Sequence, residues 1–522
     1  MTPPTHLIRV LLLMAGVGGL LGWTAGNTAI LFADGLRYID QAKKLDAGRA
    51  VDGLFRSIDH PAYPLAIAGA HRIVGGEGPL AWQDAAQYAS IAAAVLLVVP
   101  LYLVALEMFG ASTAWLAVVL SFLVPLSGHV MADALSEGLF LLFFSWGVWT
   151  SLRFLRDGKF PWLLPSVGFA ALAYWVRPEG LLLPAAMVAT LGTIPLLRST
   201  RLHWPRWWAA VALLVIGPAA LMAPIVASKG GLSTKPAVGR VLGTAPKSAS
   251  DAVERQRPLD PDQSTTMTYL QAVRAMALAV RDAVSVPLLV LAACGFVFAW
   301  PPGDRARPWA FLAILMVAWC VALVRLHATG GYCTPRHAMI VAYPLIASAA
   351  FGFVGLVSRL AIPGRWVGQG EGRFTVGPVA WVLALGAFIL YEKADLAAPI
   401  NDRFVGYRGA ANYLAEHVPD GERVVDVTGW ALFYGQKPGY TFANLVEAQG
   451  DPGVRRVVVR DAHLSGPWPY CQRIRQIVGD RKPVASFPAN PSRKQSVVFV
   501  FDWSDEAKPA TARAPGASPE RR

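Results

Sequence analysis

Charge is scarce in this sequence. Only 16% of its 522 residues are Asp, Glu, Lys or Arg, against roughly a quarter in a soluble globular chain. That shortfall excludes an ordinary water-soluble fold. Cysteine is nearly missing as well. The four residues form no CxxC pair and no zinc spacing, which excludes a zinc module and a disulfide-dense scaffold. Cys294 and Cys320 fall inside apolar runs. Cys333 and Cys471 fall on one side of the topology derived below, which leaves a single disulfide between them open. No internal repeat of the kind common in transporters is recognisable. The net charge of +13 is spread over short loops and the C-terminal region. It forms no single basic face, so nucleic acid is not an expected partner.

Apolar residues are what the chain has in quantity. They make up 54% of the sequence, with 18 Trp and 39 Pro, and the mean hydropathy is +0.42. Trp anchors helices at membrane interfaces, and Pro is tolerated inside spanning helices. Runs near 8–33, 81–106, 112–131, 134–152, 161–176, 179–197, 207–227, 284–301, 308–326, 338–358 and 376–392 approach the roughly 20 apolar residues that a spanning helix needs. About eleven spans are expected. The first run, from Leu7 to about Ala33, is too long for a signal peptide and lacks an A-x-A site, so it reads as an uncleaved helix.

Loop charge sets the expected sidedness. With the N-terminus cytoplasmic, the inside loops hold Arg153, Arg156 and Lys159, then Arg198, Arg201 and Arg206, then Arg305 and Arg307, then Arg359, Arg365 and Arg373. This is the positive-inside pattern. An odd number of spans leaves the C-terminus outside. Three long or polar segments also fall outside: 34–80, 229–283 and 393–522. The expected organisation is a transmembrane domain over 1–398, a periplasmic α/β domain over 399–504 and a disordered tail over 505–522. A helix from Tyr407 to Val418 and β-rich runs at Arg423–Val427, Arg456–Val459 and Ser496–Phe501 carry the α/β reading. The second loop holds Lys229, Lys235, Arg240 and Lys247, and a surface helix near 267–283.

The first loop carries the chemistry. Tyr38, Ala42 and Leu45 recur at helical spacing, with Arg37, Asp40 and Lys44 on the other side. This is an amphipathic helix lying on the membrane surface, with Asp34 where the first span meets it. A second short helix begins at Asp59-His60-Pro61-Ala62-Tyr63-Pro64.

In this order the motifs resemble those of the GT-C glycosyltransferases, in particular family 39 and its relatives, the protein O-mannosyltransferases and the aminoarabinose transferases of lipid A. The resemblance rests on Asp34, Tyr38 and the Asp59–Pro64 segment, on Ser136-Glu137, on Arg177-Pro178-Glu179-Gly180 and on Thr334-Pro335-Arg336-His337. It runs over roughly residues 8–360. The sequence departs from the family at Gly35, where an acid usually follows the first Asp, and at His337, where Tyr is common.

The resemblance implies an all-α polytopic GT-C domain with juxtamembrane helices and a small α/β unit. It implies transfer of a sugar from a polyprenyl phosphate to a hydroxyl of a lipid, polysaccharide or protein acceptor, on the periplasmic face of a bacterial inner membrane. Such a transfer requires a base for the acceptor proton. It also requires cations for the charge growing on the phosphate. Inversion in one displacement places one carboxylate on the far face of the sugar. Asp34 is then the expected base and Asp59 its assistant. Arg336, Arg177 and His60 are expected at the phosphate, with Tyr38, Tyr63, Glu137 and His337 lining the substrate site. No metal and no cofactor is expected.

Plainer roles compete for the same residues. Asp34 and Asp59 suit helix N-caps. His60 and Tyr63 suit packing, and Glu137 and Glu179 can rest in the head-group layer. Arg177 and Arg336 can reach lipid phosphates. Asp133 and His129 lie on the same edge, and His203 on the opposite one. A transporter or flippase is the rival function, and a membrane scaffold with an α/β binding module the second.

Overall fold

The computed structural model describes residues 3–54, 57–193, 204–235, 238–239, 268–298, 306–330, 334–360, 377–441, 444–466 and 469–503. The tail 505–522, Cys333, His203, Arg240 and Lys247 lie outside the described residues, and so does the Cys333–Cys471 pairing.

Each of the eleven apolar runs is helical over most of its described residues. By length and composition, and among the described residues, six helices can cross a membrane alone: Pro4–Gly26, Gly78–Phe109, Glu137–Asp157, Pro205–Lys229, Ala306–Thr329 and Pro335–Ser358. The run 112–131 is not one straight span. It divides into Ala111–Leu123 and Pro125–Ala132, which meet at 71°. Val124 is extended there and Pro125 opens the next helix, because the residue before a proline avoids the helical region. Thirteen residues of helix extend only about 20 Å, short of a bilayer core of about 30 Å. The expected surface helix near 267–283 is Tyr269–Val284, capped by Thr268 and Gln271. It turns by 96° into Val286–Phe298 at Ser285, whose φ is +73°.

The first loop folds as expected. Helix Ala33–Asp46 buries Gly35, Tyr38, Ile39, Gln41 and Ala42, and helix Ala62–Val74 follows. Phe32 and Pro61 occupy the N-cap positions, so neither Asp34 nor Asp59 caps a helix. Asp34 lies in the first turn, where the helix dipole favours a carboxylate.

The C-terminal residues form a mixed sheet in the order β2-β1-β3-β5-β4. The strands are β1 (Arg423–Asp426), β2 (Gly439–Tyr440), β3 (Val454–Arg460), β4 (Ala485–Phe487) and β5 (Val498–Asp502). β1 pairs in parallel with β2 and β3, while β5 pairs antiparallel with β3 and β4. Alternation along the strands gives the sheet two apolar faces. Val424, Val458 and Val500 pack with helix Gly406–His417 and with Ile30 of the first loop. Val425, Val457, Val459 and Phe501 pack with Ile474, Ile477 and Trp503.

Candidate active site

Helix Ala33–Asp46 presents Asp34 and Arg37 one turn apart. The neighbouring loop brings Asp59. Glu137 opens helix Glu137–Asp157. Arg177 and Glu179 stand at a one-turn 3-10 helix, Pro178–Leu181. That turn can fold back because Gly180 carries no side chain. A Cβ there would stand 2.3 Å from the Tyr174 amide nitrogen. Lys235 comes from the segment after helix Trp204–Lys229, and Arg336 from the turn Pro335–Ala338.

These eight side chains form an unbroken row in which the sign of charge alternates. Lys235 lies 3.0 Å from Asp59, and Asp59 lies 3.2 Å from Arg37. Arg37 is 2.9 Å from Asp34, which is 2.6 Å from Arg336. Arg336 then reaches Glu137 at 3.7 Å. Glu137 pairs with Arg177 at 2.6 Å, and Arg177 with Glu179 at 2.8 Å. Within the row every cation faces a carboxylate, which is what charges removed from water require. The acids differ in exposure. The Asp34 side chain is 21% exposed, that of Glu179 18%, that of Glu137 5% and that of Asp59 1%.

The electrostatics follow the same geometry. Burial alone would raise the Asp34 carboxyl, but Arg336 and Arg37 outweigh it and hold the group well below the usual carboxylate range. Burial likewise opposes ionisation of Asp59, and Lys235 and Arg37 overcome it. Gln41 adds a 3.1 Å hydrogen bond to the same carboxylate. For Lys235, burial works against the charge, and nearby Tyr38 and Asp59 more than restore it.

The remaining expected residues stand around this row rather than in it. Tyr38 bonds Ser136 at 3.2 Å and meets Tyr63 edge to face. Tyr63 is fully buried, with its hydroxyl between the Ala86 carbonyl and Ser90. His60 is 1% exposed and packs edge to face on Tyr174. Its burial and the cations Lys235 and Lys229 press it down to about 4, so it is neutral at physiological pH. The His337 ring bonds the Thr334 hydroxyl at 2.7 Å. Asp34, Asp59 and Glu137 do not converge on one point, because Arg37 and Arg336 stand between them. Among the described residues no group of three His, Cys, Asp or Glu is placed to hold a metal ion.

Sequence reasoning gave no site role to three members of the row, Arg37, Lys235 and Glu179. Arg37 was on view as the residue three positions after Asp34, a spacing that pairs opposite charges on a helix. Lys235 had no local signal, since its place depends on tertiary structure. Lys229, also from the second loop, donates to the carbonyls of Ser57 and Asp59, the latter at 2.9 Å. The departure at Gly35 has a steric cause. A Cβ at this position would stand 2.9 Å from the Ala134 Cβ and 3.0 Å from its carbonyl oxygen.

A narrow cleft adjoins the row, lined by Glu137, Arg177, Arg336, Phe140, Trp319 and Ile340 among others. Beside it lies an apolar cavity of about 50 Å³, and Leu141 and Ile340 line both.

The family model for dolichyl-phosphate-mannose-protein mannosyltransferase matches residues 60–221. No protein of curated function matches the chain. Among solved structures, ArnT from Cupriavidus metallidurans, bound to undecaprenyl phosphate, aligns at 14% identity and TM-score 0.55, covering 94% of this chain and 97% of its own. The oligosaccharyltransferase AglB from Archaeoglobus fulgidus, in complex with an inhibitory peptide and a dolichol-phosphate, aligns at 13% identity and TM-score 0.55. That alignment covers 88% of this chain and 69% of AglB. The chain is thus a multi-pass membrane protein that shares the fold of ArnT and AglB, a polytopic helical domain with a small α/β unit, as the sequence reading anticipated.

Proposed function

We propose that this chain is a membrane glycosyltransferase that moves a sugar from a polyprenyl-phosphate donor to a hydroxyl acceptor. Transfer takes place on the periplasmic side of a bacterial inner membrane, with the N-terminus in the cytoplasm and the sheet unit outside. The acceptor belongs to a lipid, a polysaccharide or a protein. The match to the mannosyltransferase model supports the reaction class. The polyprenyl phosphates bound by ArnT and AglB support the donor class.

Asp34 takes the proton of the acceptor hydroxyl. The acceptor oxygen bonds to the anomeric carbon from the side opposite the phosphate, and the polyprenyl phosphate leaves with the bonding electrons. The product is therefore inverted. Arg336 and Arg37 flank Asp34 and meet the phosphate, with Lys235 beyond Asp59 adding positive charge. Arginine suits this work through its fork of donors. Asp59 holds Arg37 and Lys235 in place and does not meet the acceptor, because it is buried. Arg177 is held by two glutamates and positions Glu137 beneath Arg336.

One observation carries this reading. Asp34, the most exposed acid of the row, lies between two guanidinium groups. All eight charges belong to loops or to residues near helix ends. A transporter would place them at mid-span. The test is reconstitution in proteoliposomes with undecaprenyl-phosphate hexoses and pentoses and a mixture of lipid, glycan and peptide acceptors. Release of undecaprenyl phosphate coupled to a glycoside of inverted configuration is expected. Movement of the lipid-linked sugar across the bilayer with no glycoside formed would overturn the reading.

A further inference from the structure

The segment from Asn27 to Phe32 joins the first membrane helix to the helix that carries Asp34. It has no regular structure of its own beyond one β-bridge, from Thr28 to Ile400. Its backbone is nevertheless bonded nearly throughout, and mainly by residues of the C-terminal unit. Ala29 N–H donates to the Ile400 carbonyl at 3.1 Å, and Ile400 N–H donates to Asn27 at 3.2 Å. Arg408 donates to the Ala29 carbonyl at 3.2 Å. Asn401 donates through its side-chain amide to the Ile30 carbonyl at 2.9 Å. Leu31 is held on both sides. Its N–H donates to the Tyr434 hydroxyl at 3.1 Å, and its carbonyl accepts from the Trp430 indole at 2.8 Å. Phe32 N–H donates to Asp133 at 3.1 Å, and Asp133 in turn accepts from Asn401 at 2.8 Å.

The clamp is itself braced. The Tyr434 hydroxyl donates to Gln83 at 2.9 Å, and the Arg408 guanidinium lies over the Tyr434 ring at 3.6 Å. Asn401 adopts a left-handed backbone, φ +57°, which turns its amide toward the linker. Ile30 enters the core of the C-terminal unit beside Tyr407, Trp430 and Val498, with no exposure at all. The linker also bears on the charges directly. Arg336 stacks over the Phe32 ring at 4.5 Å while it binds Asp34 at 2.6 Å. A shift of Phe32 thus moves the platform of Arg336 and the start of the helix that carries Asp34 together.

We propose that Tyr434, Trp430 and Asn401 are positioning residues for Asp34, and that the C-terminal unit is a clamp on the linker rather than an acceptor-binding module. The proposal rests on the glycosyltransferase reading only for its kinetic consequence. A backbone held by these seven hydrogen bonds in a stretch of six residues gives the carboxylate little freedom. A misplacement of about 1 Å in such a site lowers turnover by up to about 10²-fold.

Two variants test it in the full-length protein in proteoliposomes. Tyr434→Phe keeps the ring and removes the hydroxyl. Asn401→Gly keeps the left-handed backbone and removes the amide. In each, amide exchange of residues 29–32 should quicken by about tenfold or more while exchange in the sheet strands stays as in wild type. With an undecaprenyl-phosphate sugar as donor, kcat should fall roughly tenfold and the donor KM should change less than about twofold. Unchanged exchange in the linker overturns the proposal, and so does faster exchange with unchanged kcat. A general loss of protection with a lowered Tm in both variants also overturns it, since it assigns these residues to folding alone. If the wild type forms no glycoside but the exchange result holds, the clamp stands and the transferase reading falls.

Discussion

Arg336 donates a 2.6 Å hydrogen bond to Asp34 across 302 positions of sequence. The same guanidinium lies 3.7 Å from Glu137 and over the ring of Phe32. One side chain therefore joins the first loop, the start of helix Glu137–Asp157 and the turn before helix Met339–Leu360.

Asp34→Asn keeps the shape of the side chain and removes its basicity. Transfer should fall by about 10²- to 10⁴-fold in kcat, the usual contribution of a positioned base, with the donor KM little changed. Steady-state kinetics with a lipid-linked sugar reads this out. Wild-type turnover in the variant would exclude Asp34 as the base.

Arg336→Met should move the acid limb of the pH–rate profile. In the wild type Arg336 and Arg37 hold the Asp34 carboxyl well below its usual range against the opposing effect of burial. Asp34 therefore stays ionised through mildly acidic pH, and activity should hold there. Without Arg336 burial is less opposed, so Asp34 takes up its proton at higher pH and the acid limb shifts upward. Superimposable profiles from the two proteins would show that Asp34 does not limit the rate on the acid side.

Asp59→Ala should damage stability more than Asp34→Ala, although both remove a carboxylate. Asp59 is 1% exposed and serves Arg37, Lys235 and Gln41 together. Its loss takes the paired carboxylate from Lys235 and leaves half-exposed Arg37 with Asp34 alone, a cost toward the lower end of the about 3–5 kcal/mol of a broken buried pair. Asp34 is closer to solvent. Melting of the detergent-solubilised proteins compares the two, and equal Tm values would contradict the anchoring role of Asp59.

His60 and Asp133 should give opposing pH dependences of stability. The His60 imidazole is pressed down to about 4 in the folded chain. The unfolded chain binds a proton near pH 6.5 that the folded chain refuses. Its contribution is complete above pH 6.5 and weakens by about 2 kcal/mol on going to pH 5. Asp133 is raised to about 6 by burial, against the backbone N–H of Ala134 and the amide of Asn401. There the folded chain binds the proton first, and stability gains about 1 kcal/mol over the same interval. His60→Phe should be relatively more stable at pH 5 than at pH 8, and Asp133→Asn relatively less. Parallel Tm-against-pH curves for both variants and the wild type would refute this pairing.

Much of the fold was legible because lipid-soluble helices need long apolar runs. The described residues of the eleven runs are mostly helical, and the amphipathic spacing of Tyr38 and Ala42 does mark the buried face of helix Ala33–Asp46. The break at Val124 escaped hydropathy, which averages over a single extended residue. β2 and β4 escaped because two or three residues carry no period. Asp34, Glu137, Arg177 and Arg336 are neighbours in the row although their motifs lie far apart in sequence. Lys235 joins them only through the tertiary path of its loop, and no spacing encodes that. His60 stands beside a Pro in a familiar motif, yet packs on Tyr174 beside the row of charges and makes no ion pair in it. A motif names a residue without saying which way it faces.

The linker clamp has a consequence for the timing of synthesis. Ile30 and Leu31 find their partners 371 to 403 positions later in the chain. A growing polypeptide thus carries Asp34 for hundreds of residues before the C-terminal unit can fix its linker. Until residues 400–434 have been made and have docked, the protein carries its charged groups without their final alignment. Synthesis and docking of residues 400–434 is then the step that sets the linker in place.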